Sequence, residues 1–260
     1  MVTELWRSAL DKGGAVGALA MDLSKAFDCL PHDLIVAKLL AYGMSEKSVT
    51  LFCSYLRGRF QRVKIGDARS TWREVLKGVP QGSILGPALF NIFLNDIVYF
   101  FERSILANFA DDNTLIVQGE NLQTVVNTLG QEGSIATDWF ASNFMKANPD
   151  KFHFMSAAKK ADAAVNTIEI ESNSIQAEDS IKLLGVHIDS RLNFNKQKKA
   201  GRQINALKRL SFYLNYNARL TAFRCFILSH LNYSPLVWMN SSKVQMGKIE
   251  KLQERAHGKK

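Results

Sequence analysis

Two periods of apolar residues run through this chain, one near 2 and one near 3.6, and their order predicts its elements. Residues 3–12 suit a short amphipathic helix that stops at Gly13-Gly14. Ala15 to Leu23 (AVGALAMDL) is apolar and bounded by glycines, which predicts a buried strand whose last polar residue is Asp22. Pro31-His32-Asp33 opens a helix that runs to Tyr42 and stops at Gly43; Ser45 caps another, roughly to Leu56. FQRVKI (60–65) alternates like a strand, and 72–76 can pair with it across a Gly66-Asp67 turn.

A glycine-rich loop at 78–82 then leads to Ser83, an expected N-cap. The helix behind it carries Leu85, Leu89, Ile92, Phe93 and Ile97 near one face. SILANFADDNTLIVQ (104–118) predicts two strands joined by an Ala-Asp-Asp-Asn turn, since Asp and Asn tolerate turn geometry. A helix over about 122–143 follows, with Val125, Val126, Leu129, Ile135 and Trp139 as core candidates. Strand-like pieces recur at 152–155, 166–170 and 181–188, and the chain beyond Asn193 reads as helical, broken near Pro235 and restarted at Ser241-Ser242. The order predicts an α+β domain on an antiparallel sheet followed by a small all-α piece.

Composition changes this picture in one respect. At 260 residues and 47% apolar the chain has material for a substantial core. Three scattered cysteines (Cys29, Cys53, Cys225) form no CxxC pair and argue for a reducing, intracellular setting, cytoplasm and/or nucleus. Thr3 and Glu4 stand where a signal peptide would need basic and apolar residues, and no run approaches the ~20 apolar residues of a membrane span, so neither secretion nor a membrane partner is expected. Net charge is +9 overall, but from Arg191 onward fifteen lysines and arginines face only Glu250 and Glu254, a net of +13. The first 190 residues therefore carry −4. An acidic body with a basic tail suggests a polyanionic partner held by the tail, with a solvated basic bundle as the bland alternative.

Two features bear on chemistry: Asp22 at the end of a buried strand and Asp111-Asp112 at a hairpin tip. Each alone is ordinary, a cap residue and a common turn. Together they offer carboxylates on neighbouring strands. Two Mg²⁺ ions ~3.5–4 Å apart, held by such groups, neutralise attacking and leaving oxygens in phosphoryl transfer. Mg²⁺ takes hard oxygen ligands and keeps several waters, so two or three carboxylates suffice. Phe27 stands five positions after Asp22, where a ring could floor a nucleotide pocket. Gly78-Val79-Pro80-Gln81-Gly82 combines glycines that permit close backbone approach with an amide donor, or is simply a turn into the helix.

MDLSKAFDCLPHDLI, GVPQGSILGPALFNIFLNDI and FADD, in this order, resemble motifs A, B and C of reverse transcriptases of non-LTR (LINE-type) retrotransposons of the jockey or CR1 kind. NFMKANPDKFHFM and IKLLGVHID are similar to that family's D motif and its E motif, or primer grip. The resemblance implies an RNA-directed DNA polymerase acting on an RNA template, a DNA primer and dNTPs with two Mg²⁺. It implies a palm with motifs A to D over 1–155, a primer-grip hairpin region over 156–190 and an incomplete basic helical thumb over 191–260. By the same resemblance, Asp22 and Asp111 are the main metal ligands with Asp112 beside them, and the Leu23 carbonyl lies near a metal. Ser24 and Lys25 contact the triphosphate, Phe27 acts as steric gate against the ribose 2′-OH, and Gln81 with Gly82 faces the incoming nucleotide. Lys151 acts as general acid toward pyrophosphate, and Leu184 and Gly185 lie under the primer terminus. Asp28 belongs to the motif in a structural role. Lys196, Lys198, Lys199, Arg202, Lys208 and Arg209 hold the template–primer backbone.

About twenty residues precede Asp22, so the fingers region of the family is expected to be largely missing, and LQERAHGKK stops in what resembles mid-thumb. Two readings follow: a polymerase with an intact metal site, or a catalytically inactive retroelement remnant that at most binds nucleic acid through its basic C-terminal helices.

Overall fold

The computed structural model describes residues 1–158, 166–193, 209–210, 212–235 and 247. The chain forms two compact units, one of Gly13–Ala177 and one of Met1–Lys12 with Glu178–Lys260.

The larger unit is built on a four-stranded antiparallel sheet with strand order β10-β1-β8-β7. Its members are β1 (Ala15–Met21), β7 (Ile105–Phe109), β8 (Asp112–Gly119) and β10 (His153–Ala158). β1 lies in the middle, which explains its nearly unbroken apolar sequence: a strand paired on both edges and covered on both faces has no use for alternation. Helix α6 (Leu122–Ser142) crosses one face. A Cβ on Gly17 would come within 2.7 Å of Leu129 and 2.8 Å of Val125, and one on Gly133 within 2.9 Å of Leu19. Glycines at these two contacts let helix and sheet approach closely. Odd-numbered residues of β1 therefore face α6, and even-numbered ones face the other side.

Around this sheet lie β2 (Leu23–Ser24), α2 (Ala26–Cys29), α3 (His32–Ala41), α4 (Glu46–Leu56) and α5 (Leu85–Leu94). Leu30, Ile35, Leu39, Leu56, Leu89, Phe90 and Phe93 join Leu19, Leu115, Leu129 and Phe140 in one buried cluster. The helix over 46–56 is capped by Ser45 as expected. Lys38 is buried here, donating to the Phe93 carbonyl (2.8 Å) and the Asp96 carboxylate (2.7 Å), with its ammonium over the rings of Phe93 and Trp139. Burial lowers its pKa against the raising effect of Asp96.

Three local expectations change. Helix α5 begins at Leu85 rather than at Ser83, yet the Ser83 hydroxyl still accepts the Gly86 N–H at 3.0 Å. Ile135 is exposed on the outer face of α6, and Ile97 is buried from a 3₁₀ turn beyond α5. The strands predicted at 60–65 and 72–76 do pair, but as two short ladders: β3 (Phe60–Gln61) with β6 (Arg73–Glu74), and β4 (Lys64–Ile65) with β5 (Ala68–Arg69).

Two hairpins follow β10: β11 (Thr167–Ile170) with β12 (Asn173–Gln176), against α6, and β13 (Ser180–Leu183) with β14 (Val186–Asp189) in the smaller unit. In the smaller unit, Trp6 of α1 (Val2–Asp11) is fully buried and donates its indole N–H to the Ser190 carbonyl at 2.9 Å. Helix α7 (Tyr216–Phe223) lies there too. The predicted break and restart at Pro235 and Ser241-Ser242 falls at or beyond the edge of the described residues. Among the described residues, no helix is long and apolar enough to cross a membrane.

Candidate active site

Asp22 follows directly on β1, and Asp111 and Asp112 lead into β8, its central neighbour. The register pairs Met21 with Asn113, so one further step sets Asp22 opposite Asp112. By alternation both lie on the sheet face turned away from α6. Adjacent central strands, expected from sequence only if these two paired, thus bring the carboxylates together. The electrostatics agree: Asp112 titrates above the ordinary carboxyl range, first from burial, then from the charges of Asp111 and Asp22.

The tip of the β7–β8 hairpin is held firmly. Ala110 takes a left-handed backbone (φ +54), which costs a non-glycine residue about 1 kcal/mol. Bracing comes from two asparagines. Asn108 donates to the Asn113 side chain (2.7 Å) and the Ala110 carbonyl (3.0 Å), and buried Asn113 donates to the Asp111 carbonyl (3.0 Å). The start of β7 is anchored by Glu132 of α6, a buried carboxylate that accepts the backbone N–H groups of Glu102 (3.2 Å), Arg103 (2.8 Å) and Ser104 (2.8 Å). Nothing in the sequence pattern marked Glu132, because its partners are distant backbone groups, whereas Asn113, expected as the last residue of the turn, lies within β8 opposite Met21.

Lys151 reaches the same place by another route. β2 pairs with β9 (Lys146–Ala147), and the Asn148 N–H bonds to the Asp22 carbonyl at 3.1 Å. The 3₁₀ turn Pro149–Lys151 then carries the lysine back, and its ammonium lies 3.1 Å from Asp22 Oδ2. Leu23 is buried in β2, Ser24 accepts the Cys29 thiol through its carbonyl, and Lys25 is exposed with a left-handed backbone.

The GVPQG loop is stitched to the segment that follows Lys25. Val79 N–H bonds to the Phe27 carbonyl (2.9 Å), Gly78 N–H to the Leu30 carbonyl (2.7 Å), and the His32 ring to the Gly78 carbonyl (2.9 Å). Gly78 has φ +84, and a Cβ there would meet Asp28 backbone at 2.8 Å, so glycine is required twice over. Gln81, exposed, donates its side-chain amide to Asp28 Oδ1 at 3.0 Å. Gly82, also exposed, has φ +80. The half-buried Phe27 ring stacks on Phe90 of α5, centroids 4.3 Å apart.

In the smaller unit, Leu184 (φ +46) and Gly185 (φ +81) form the two-residue turn between β13 and β14, and the Tyr233 hydroxyl donates to the Leu184 carbonyl. Of the six cations expected on the thumb, Arg209 is described and exposed, while Lys196, Lys198, Lys199, Arg202 and Lys208 lie outside the described residues.

No group of three or more His, Cys, Asp or Glu is gathered closely enough to cage a metal among the described residues. The donor set nevertheless fits Mg²⁺, which uses one or two carboxylates and takes its remaining oxygens from water and substrate phosphate. That Asp22 already holds a cation, the Lys151 ammonium, and that Asp111 and Asp22 raise the Asp112 pKa, both mark a place that favours positive charge.

Residues 3–188 match the family model described as reverse transcriptase (RNA-dependent DNA polymerase). The chain is 27% identical over 271 residues to a probable RNA-directed DNA polymerase from transposon BS of Drosophila melanogaster, covering 95% of this chain and 29% of that protein. It is 22% identical over 260 residues to the RNA-directed DNA polymerase from mobile element jockey of the same organism, covering 94% and 28%. The fold is similar to that of apo telomerase from Candida tropicalis, with a TM-score of 0.53 at 12% identity over 98% of this chain and 48% of that one. The chain thus spans less than a third of the length of these curated relatives.

Proposed function

Because the chain belongs to the reverse transcriptase family, we propose that it acts as an RNA-directed DNA polymerase domain of a non-LTR retrotransposon, joining dNTPs to a primer 3′-OH on an RNA template. One observation carries this reading: Asp22 and Asp112 stand opposite each other on adjacent central strands, on the face away from α6, with Asp111 next to Asp112 and Lys151 on Asp22.

Asp22 and Asp111 would hold two Mg²⁺, with Asp112 beside them and the Leu23 carbonyl near. Bound there, the ions supply charge neutralisation at the attacking and leaving oxygens. The chain's own residues do the rest. Lys25, exposed, and Ser24 lie where a triphosphate would enter beside Asp22. Phe27, its ring backed by Phe90, closes the pocket where a ribose 2′-OH would project. Gln81, oriented by Asp28, and Gly82 face the incoming nucleotide. Lys151 can release Asp22 and give a proton to the departing pyrophosphate. Leu184 and Gly185, at the β13–β14 turn, would support the primer terminus, and the cations from Lys196 to Arg209 would hold the template–primer backbone. The free thiols of Cys29, Cys53 and Cys225 suit a reducing compartment, cytoplasm or nucleus.

Primer extension on an RNA template with Mg²⁺ and dNTPs tests the proposal. Template-dependent incorporation that Asp111→Asn abolishes supports it, and incorporation unchanged in that variant overturns the assignment.

A further inference from the structure

Between α4 and the GVPQG loop the chain projects an arm, Arg59 to Lys77, whose every residue from Phe60 to Glu74 is exposed. The two short ladders β3·β6 and β4·β5 hold it, aided by Val63 and Ser70, which bond N–H to carbonyl and N–H to hydroxyl (both 3.0 Å). A two-stranded ribbon with no apolar face of its own to bury is marginal in water. Yet this one displays Phe60, Val63, Ile65, Trp72 and Leu76, each more than half exposed. Large apolar groups held in solvent on a regular scaffold point to a partner.

Charge identifies the partner's class. The arm has six cations (Arg59, Arg62, Lys64, Arg69, Arg73, Lys77) against Asp67 and Glu74, a net of +4. Since the first 190 residues sum to −4, everything else in them sums to −8. A cationic ribbon attracts a polyanion. The aromatics narrow it further. Trp72 is 59% exposed, and the Arg62 guanidinium lies 4.5 Å from its ring centroid, a preformed cation–π pair. Rings and guanidinium planes for bases, alternating with cations for phosphates, are what single strands require; a duplex hides its base faces.

We propose that the arm Arg59–Lys77 is a binding surface for single-stranded nucleic acid, with Trp72 as a stacking platform and Lys64, Arg69 and Arg73 as phosphate contacts. This rests on the polymerase reading only for which strand it holds. Lys77 bridges to Pro31 and runs directly into the Gly78–Gly82 loop, so the base of the arm adjoins the candidate nucleotide site, and a strand followed down the arm would arrive there as a template does ahead of copying.

Binding of the full chain to labelled 20-nucleotide oligo(U) and oligo(dT) tests the proposal without needing catalysis. Trp72 fluorescence should be quenched on binding, and the quenching should vanish in Trp72→Phe. Trp72→Ala should weaken binding about tenfold. Lys64→Gln with Arg69→Gln and Arg73→Gln should flatten the log K against log salt slope by roughly 2, at about 0.7 per phosphate contact. All four positions are exposed, so unchanged thermal unfolding should accompany these losses. Equal effects on both oligomers would make the arm indifferent to sugar, and a larger effect with oligo(U) would make it an RNA surface; both support the proposal. Unquenched Trp72 with unchanged affinity overturns it. So does concentration-dependent self-association that Trp72→Ala abolishes, which would make the arm a protein contact. A chain inert in primer extension but passing these tests would sink the polymerase reading and leave the arm standing.

Discussion

Lys151 donates to Asp22 across 129 residues of sequence, at 3.1 Å, so the chain pairs its first candidate metal ligand with a cation of its own. Lys151 is exposed and Asp22 partly so, which makes the pair weak and easily exchanged. That is the behaviour the proposed role of Lys151 requires, in which it leaves the carboxylate when metal and triphosphate arrive.

Magnesium should therefore compete with Lys151. Lys151→Ala is expected to bind Mg²⁺ about two- to fivefold more tightly in calorimetric titration of the nucleotide-free chain, the equivalent of an exposed ion pair. It should at the same time slow incorporation in primer extension. Mg²⁺ affinity that is unchanged or falls in this variant would mean that the lysine and the metal do not share Asp22.

Phe27 is predicted to be both gate and packing residue. Phe27→Ala should raise ribonucleotide incorporation relative to deoxyribonucleotide, measured in competition. It should also lower stability by about 2 kcal/mol, less than a fully buried ring because Phe27 is half-buried. Phe27→Tyr keeps the stack on Phe90 and should leave sugar selectivity nearly intact. Unchanged selectivity in Phe27→Ala would remove the gate role.

Asp28 accepts the Gln81 side-chain amide and so orients it. Asp28→Ala frees the amide, and the expected result is a KM for dNTP raised about tenfold with kcat nearly unchanged, as for a lost hydrogen bond to a charged group. In Gln81→Ala the additional Asp28→Ala change should then add little. Full additivity of the two would show that Asp28 acts elsewhere.

Lys38 offers a pH test remote from the site. Burial holds its pKa below the ordinary 10.5, so the native state binds this proton less tightly than the unfolded chain does. Its contribution to stability is therefore least at low pH and grows as pH rises through the folded pKa toward 10.5. Lys38→Met leaves the Phe93 carbonyl and Asp96 without their donor and should cost about 2 kcal/mol near neutrality. In urea titrations the wild type's advantage over Lys38→Met should widen as pH rises through the folded pKa toward 10.5, and an advantage that narrows would reverse the assigned cause.

Much of the site was legible before any coordinates. Asp22, Phe27, Gln81, Asp111 and Asp112 stand out because their chemistry is written in short contiguous motifs, and turn and strand signals around them are local. Lys151 was named from a motif, but its contact with Asp22 depends on the pairing of β2 with β9, which no local pattern announces. Glu132 and the Asp28–Gln81 bond were unreadable for the same reason. The arm was predicted as paired strands, and it does pair, with every residue from Phe60 to Glu74 exposed.

The amino-acid sequence by itself determined the α+β class, the buried central strand, the carboxylates at its end and at the hairpin tip, and the family they resemble. Those follow from periodicity, turn chemistry and residue type, all of which act over a few neighbouring positions. Only the tertiary structure decided that β1 and β8 are neighbours, that Asp22 and Asp112 share the face away from α6, and that Lys151 pairs with Asp22. Strand order and register are set by which apolar faces can be buried together, a property of the whole chain that no short stretch of it contains.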